Sequence, residues 1–225
     1  MLRASLAGKL RNTTLPKSRA LLPVFEAVYN SFQAIDDAPQ SPTHEIHVQV
    51  QRQNTLSPSG SDPVSAFIIA DTGAGFTQAN YNSFVTADSL HKQERGGKGV
   101  GRFLWLKAFA HADIDSHFLD QKSGELRRRV FHFDLTFDKS QDGDTTPSNQ
   151  TRPRTTIALV DYLDPYRSEC PRDLTIIAQR FVGHFLPLFL APDGPAFILE
   201  DDYAAIDLRV FFREHVEELA ILPPR

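Results

Sequence analysis

The chain has 225 residues, 41% hydrophobic and 23% charged, with a net charge of -4. That length suits one large domain, or a domain with part of a neighbour, which would bury roughly 70% of its unfolded surface. The balance excludes a mainly electrostatic grip on nucleic acid, the lone Cys170 excludes an internal disulfide and fits a reduced, cytoplasmic protein, and no run reaches the roughly 18 apolar residues of a spanning helix.

Residues 1–22 carry Arg3, Lys9, Arg11, Lys17 and Arg19 with no acid. This is the composition of an organellar transit peptide or of a basic arm; Pro16 and the lack of a clean apolar face favour an extended arm, packed on the domain or on a partner subunit. From Pro23 the apolar Phe25, Val28, Phe32 and Ile35 recur at helical spacing, ending before Pro39. The opposite face gathers Glu26, Asn30, Gln33 and Asp37. Strands are expected over His44 to Val50 and Ala66 to Ala70, with a turn-forming loop from Ser57 to Pro63. Asp71 to Gly101 is glycine-rich and polar, and Phe103 to Phe109 reads as a buried helix. Further strands are expected over Ile114 to Phe118, Val130 to Phe137 and Thr155 to Val160, the last two separated by a mobile loop, Asp138 to Arg152. A helix from Asp173 toward Pro187, a strand from Ala196 to Leu199 and a charged helix from Ile206 to Leu219 complete the chain. The fold class expected is a two-layer α/β sandwich of the α+β kind: a mixed, mainly antiparallel sheet covered by helices on one face.

Three motifs carry chemistry. On the first long helix, Glu26 and Asn30 stand one turn apart within Glu26-Ala-Val-Tyr-Asn30-Ser-Phe-Gln-Ala34, a carboxylate and a carboxamide able to orient water and ligate magnesium through oxygen, or a plain solvated face. Asp71-Thr-Gly73-Ala-Gly75 leaves an apolar strand. Its aspartate can accept a hydrogen bond from an exocyclic amine and its glycines can admit a flat ring; a strand-ending turn explains the same residues. Gly96-Gly97-Lys98-Gly99-Val100-Gly101 opens onto a helix, where unpaired amides and the dipole favour phosphate, although a flexible loop also explains the glycines. Neither a Walker loop nor the dinucleotide fingerprint is present.

In this order the motifs resemble the ATP-binding domain of gyrase, heat-shock chaperones, histidine kinases and mismatch-repair MutL, the GHKL superfamily with the Bergerat fold, over about Leu21 to Val160. The resemblance implies that Glu26 is the general base and that Asn30 holds the magnesium ion bridging the phosphates of ATP. It implies that Asp71 reads the adenine amine and that Gly73 and Gly75 make room for the base, with Ala34 in the binding set. Gly97, Lys98, Gly99, Val100 and Gly101 would form the phosphate-cradling end of a lid spanning roughly Phe76 to Gly101, and Thr155 would support adenine through water. Arg154 stands where many relatives have glycine, and Gln33 where several have aspartate. Glu26 points toward hydrolysing members and away from sensor kinases. The chain looks most like bacterial members without a settled role, some of them assigned to defence or repair.

The implied activity is slow, magnesium-dependent ATP hydrolysis in which lid closure controls a homodimer or a partner protein, with nucleic acid reached through other domains and no membrane. The alternative is a nucleotide-gated switch that does not hydrolyse. Residues 1–22 would form the arm, 23–200 the ATP-binding domain, and 201–225 a C-terminal helix leading toward a transducer domain, whose absence would leave turnover weak.

Other residues read more plainly. His111, His117 and His132 with Asp113 and Asp115 match strand alternation better than a zinc pattern. Arg127, Arg128 and Arg129 read as a solvated turn or as a contact for an anion or nucleic acid, Trp105 as core, and Lys92, Arg95 and Lys98 as lid cations within reach of phosphate or as solubilising charge.

Overall fold

A computed structural model describes residues 6–38, 44–55, 59–86, 101–137, 144–191 and 193–217. The basic arm is not extended. Leu6–Asn12 forms helix α1 and Lys17–Arg19 a single 3-10 turn. Arg11, Lys17 and Arg19 stay exposed, while Leu15, Ala20 and Leu21 are buried in the main core. The hydroxyls of Tyr162 and Tyr166 donate to the carbonyls of Ala20 (2.6 Å) and Leu15 (3.1 Å), which ties this segment down.

Helix α2, Leu22–Asp36, begins with proline in its first turn and buries Phe25, Val28, Phe32 and Ile35, as the periodicity requires. The strands are β1 (Glu45–Arg52), β2 (Val64–Asp71), β3 (Phe109–Leu119), β4 (Leu126–Phe133), β5 (Thr145–Pro147), β6 (Arg154–Tyr162), β7 (Ala196–Glu200) and β8 (Ala205–Asp207). They form one 8-stranded sheet in the order β5-β4-β3-β6-β2-β1-β7-β8. Only the β1–β7 pair is parallel.

Side chains alternate between a helix-covered face and an open one. On the covered face, Phe67, Leu159, Ala112 and Phe133 form one cross-strand row, and Ile69, Ile157, Ile114 and Phe131 the next. All eight are buried. Helix α4 (Gly101–Ala108) packs on α2, which lies over β1 and β2. Helix α6 (Leu174–His184) lies over β7, and Phe181 meets Phe25 of α2 edge-on at 5.0 Å.

Several elements differ from expectation. Gln78–Val85 forms helix α3, which no apolar periodicity announced: only Tyr81 and Phe84 are buried, and the helix is started by Thr77, whose side chain accepts from the Asn80 amide. Strand β5 occupies part of the loop expected over 138–152, paired with the edge of β4. The strand expected to reach Phe137 ends at Phe133. Tyr166–Glu169 forms a short helix, α5, and the helix expected from Asp173 ends at His184, with Pro187 in the first turn of a separate helix, α7 (Leu186–Phe189). The final charged helix starts as strand β8 before α8 (Leu208–Phe212), followed by a π-helical turn over Arg213–Glu217. Among the described residues no helix is long and apolar enough to cross a membrane.

Candidate functional site

The third row of the covered face is polar. Asp71, Thr155, Ser116 and Arg129 lie directly opposite one another on β2, β6, β3 and β4. Each is at most 3% exposed. Burying four such groups is unfavourable unless each is bonded, and their bonds hold the chain that follows β2. Asp71 accepts from the Ser31 hydroxyl of α2 at 2.8 Å and from the Gly73 amide at 2.9 Å. Ser116 and Thr155 share a hydrogen bond of 2.9 Å, and the Phe76 amide donates to Ser116 Oγ at 2.8 Å. Arg129 donates to the carbonyls of Phe76 and Thr77 and, at 2.8 Å, to Gln78 Oε1. The Asp71 to Gln78 segment is thus fastened along the polar row from one strand to the next.

Two glycines in that segment are required by contact. A Cβ on Gly73 would fall 2.5 Å from the Ala34 carbonyl carbon, and the following amide, that of Ala74, donates to the Ala34 carbonyl at 2.8 Å. Gly75 has φ +76°, the left-handed region, and a Cβ there would meet the His117 carbonyl at 2.8 Å. Asn80 closes the turn by donating its side-chain amide to the Gly75 carbonyl at 2.8 Å.

Above this floor lies a cavity of ≈ 290 Å³, at the lower end of ligand-pocket volumes and so suited to one flat ring rather than to a whole large ligand. Helix α2 contributes Asn30, Ser31, Gln33, Ala34 and Asp37 to its wall, and the segment after β2 contributes Gly75 and Phe76. Asn80, Ser83 and Phe84 come from α3, Trp105 from α4, and Asp71, Thr155 and Ile157 form the sheet side. Burial pushes the Asp71 carboxyl up to about 6, against the opposing pull of the Gly73 amide and the Ser31 hydroxyl. Trp105 is 1% exposed, and its indole N–H has no hydrogen-bond partner among the described residues.

The candidate residues named from sequence therefore fall into three groups. Asn30, Ala34, Asp71, Gly75 and Thr155 line one cavity, and Gly73 supports it from behind. Glu26 and Gly101 meet outside the cavity wall: a Cβ on Gly101 would come 2.4 Å from Glu26 Oε2, which sets the carboxylate against the first turn of α4. Gly97, Lys98, Gly99 and Val100, with Lys92 and Arg95, lie outside the described residues. The beginning of the expected lid, Phe76 to Val85, is a packed turn and helix. Trp105, expected in the core, is both buried and part of the cavity wall. Of the three arginines expected in a solvated turn, Arg129 is buried and Arg128 pairs with Asp115 through two bonds of 2.8 and 2.7 Å.

Sequence reasoning missed Ser31 and Ser116. The signal for Ser31 was a hydroxyl residue on the apolar face of an amphipathic helix; Ser116 sits likewise among the inward-facing positions of β3. No protein-family model matches the chain, and no curated protein matches it either.

Proposed function

We propose that the cavity binds the adenine of ATP, and that the domain is a magnesium-dependent, slowly hydrolysing ATPase of the GHKL type with a Bergerat fold. The observation that carries this reading is Asp71: a buried carboxylate, held by two donors, beside a ring-sized space backed by glycine. Adenine offers an amine donor to such an acceptor, whereas guanine turns a carbonyl oxygen toward it, so the site favours ATP over GTP. From Ala34 to Glu26 helix α2 spans about 12 Å, the direction in which the phosphates would run from a base beside Asp71 toward α4. Asn30 supplies an oxygen donor suited to Mg²⁺, with phosphate and water completing its shell, and Glu26 stands one turn beyond it. The ion would neutralise phosphate charge, and Glu26 would take a proton from the attacking water.

One observation favours the alternative of a nucleotide-gated switch: Glu26 is not part of the cavity wall. Single-turnover phosphate release separates the two readings, since tight binding without release identifies the switch.

Trp105 is the chain's single tryptophan, so its emission reports occupancy of the cavity. Titration with Mg·ATP is expected to change that emission saturably and, at about 100 times Kd, to stabilise the fold by about 2.7 kcal/mol. That corresponds to a rise in Tm of about 5–10 °C for a chain of this size. Unchanged emission together with an unchanged Tm would remove the adenine assignment.

A further inference from the structure

The open face of the sheet carries a second constellation. His132 of β4 lies directly opposite Asp113 of β3, and His111 stands two residues before Asp113 on the same strand, hence on the same face. His132 Nδ1 is 2.6 Å from Asp113 Oδ1, and His111 Nε2 is 3.4 Å from Asp113 Oδ2. The two imidazoles face each other with ring centroids 4.6 Å apart. One nitrogen from each histidine and one Asp113 oxygen all lie within 4.8 Å of one another. A tetrahedral zinc ion with bonds of about 2.0–2.2 Å sets its ligands about 3.4 Å apart, so these groups need only small side-chain adjustments to surround one ion.

A fourth residue supports the arrangement. Asp134 Oδ1 is taken by the amide (2.7 Å) and hydroxyl (2.8 Å) of Thr136, which leaves Oδ2 turned toward His132 Nε2 at 3.6 Å. With His132 Nδ1 on a metal, its remaining N–H would point to a fixed carboxylate, the usual outer partner of a metal-bound histidine. The next pair along the strands makes the contrast. There Asp115 is held by the Arg128 guanidinium, and His117 Nδ1 is bonded to Ser148 Oγ at 2.7 Å, so that position already has its cation. Asp113 meets only the two imidazoles among the described residues.

We propose that His111, Asp113 and His132 form a zinc site with one open coordination position, on the opposite side of the sheet from the cavity. Two imidazole nitrogens and one carboxylate suit Zn²⁺; Mg²⁺ and Ca²⁺ require oxygen donors. The site is distinct from the magnesium-binding role of Asn30 and stands whether or not the cavity holds ATP. The strand alternation that made these residues look like plain surface is also what aligns them, because pairing of β3 with β4 brings together residues far apart in sequence.

The test is calorimetric titration of the purified full chain with Zn²⁺ in the absence of nucleotide, with Co²⁺ absorption as a second readout of coordination. Wild type is expected to take up one equivalent and to give the visible spectrum of a four-coordinate cobalt site. His111→Ala, His132→Ala and Asp113→Asn should each weaken binding at least about tenfold, and Asp134→Asn by about tenfold. Circular dichroism checks that each variant is folded. Undiminished binding in the His111→Ala/His132→Ala double variant would place the zinc elsewhere, and no saturable binding by wild type would leave a surface ion pair only; either result overturns the proposal.

Discussion

Asp71 combines two opposed properties, since its burial penalises the charge that makes it a good acceptor. The carboxyl is raised to about 6 chiefly by desolvation, so the folded state holds a proton more tightly than the unfolded chain does. Ionising it therefore lowers stability progressively as pH rises from about 4 to about 6, by about 3 kcal/mol in full. Asp71→Asn keeps an oxygen for the Gly73 amide and can donate to Ser31, so urea unfolding should find it more stable than wild type above pH 6, with the gap closing toward pH 4. The same substitution should weaken ATP binding by about 10–100-fold, and in wild type the affinity should fall as pH drops below about 6, measured by Trp105 emission. The glycines separate by what their Cβ would strike. Gly73→Ala presses on the backbone of Ala34 and should destabilise by about 1–3 kcal/mol and disable binding, whereas the nearest atoms to a Cβ on Gly101 belong to the flexible side chain of Glu26, its carboxylate first. Gly101→Ala should leave the melting temperature nearly unchanged while lowering phosphate release. At this scale the turn built by Asp71, Gly73 and Gly75 was legible, because an aspartate and glycines leaving an apolar strand are tied to close backbone contacts. Ser116 was less so: its place between Ile114 and Phe118 marks it as inward-facing, but nothing in the sequence names the Phe76 amide and Thr155 hydroxyl as its partners.

Among the elements, α2 and strands β1, β2, β6 and β7 followed directly from apolar periodicity. Helix α3 did not, since it buries only Tyr81 and Phe84, with Val85 partly covered, and what holds it lies elsewhere in the chain. Arg129 of β4 is the main fastener: its guanidinium bonds the residues around the start of α3 and lies 4.5 Å over the Tyr81 ring and 5.0 Å over that of Phe118. Arg129→Met keeps the stem but loses the bonds to Phe76, Thr77 and Gln78. It should cost about 2–4 kcal/mol and, by hydrogen exchange, speed opening of α3 more than that of β1 or β2. Equal acceleration everywhere would assign Arg129 to general stability instead. Strand β5 was equally hidden, because three residues at a sheet edge form a strand only when β4 is there to pair with them.

For the whole molecule, composition and element order were enough to reach an α+β chain with a mixed, mainly antiparallel sheet, but not the full extent of its core. Leu15, Ala20 and Leu21 near one end and Leu208, Phe211 and Phe212 near the other join the same buried cluster. Arg52 of β1 also bonds Asp201 at 3.0 and 2.6 Å. Removing residues 201–225 should therefore abolish cooperative thermal unfolding rather than trim an appendage; a cooperative transition close to that of the full chain would show the segment to be dispensable. The parallel pairing of β1 with β7 carries a consequence for synthesis. Ile46 and Val48 wait for Phe197 and Leu199, their partners some 150 residues later. At about 5–20 residues per second the ribosome leaves that edge of β1 unpaired for roughly 8–30 s. Over that interval the nascent chain exposes an apolar strand edge, the feature most open to wrong pairing with other chains, so the yield of folded protein should depend on how fast the segment between Val48 and Phe197 is translated.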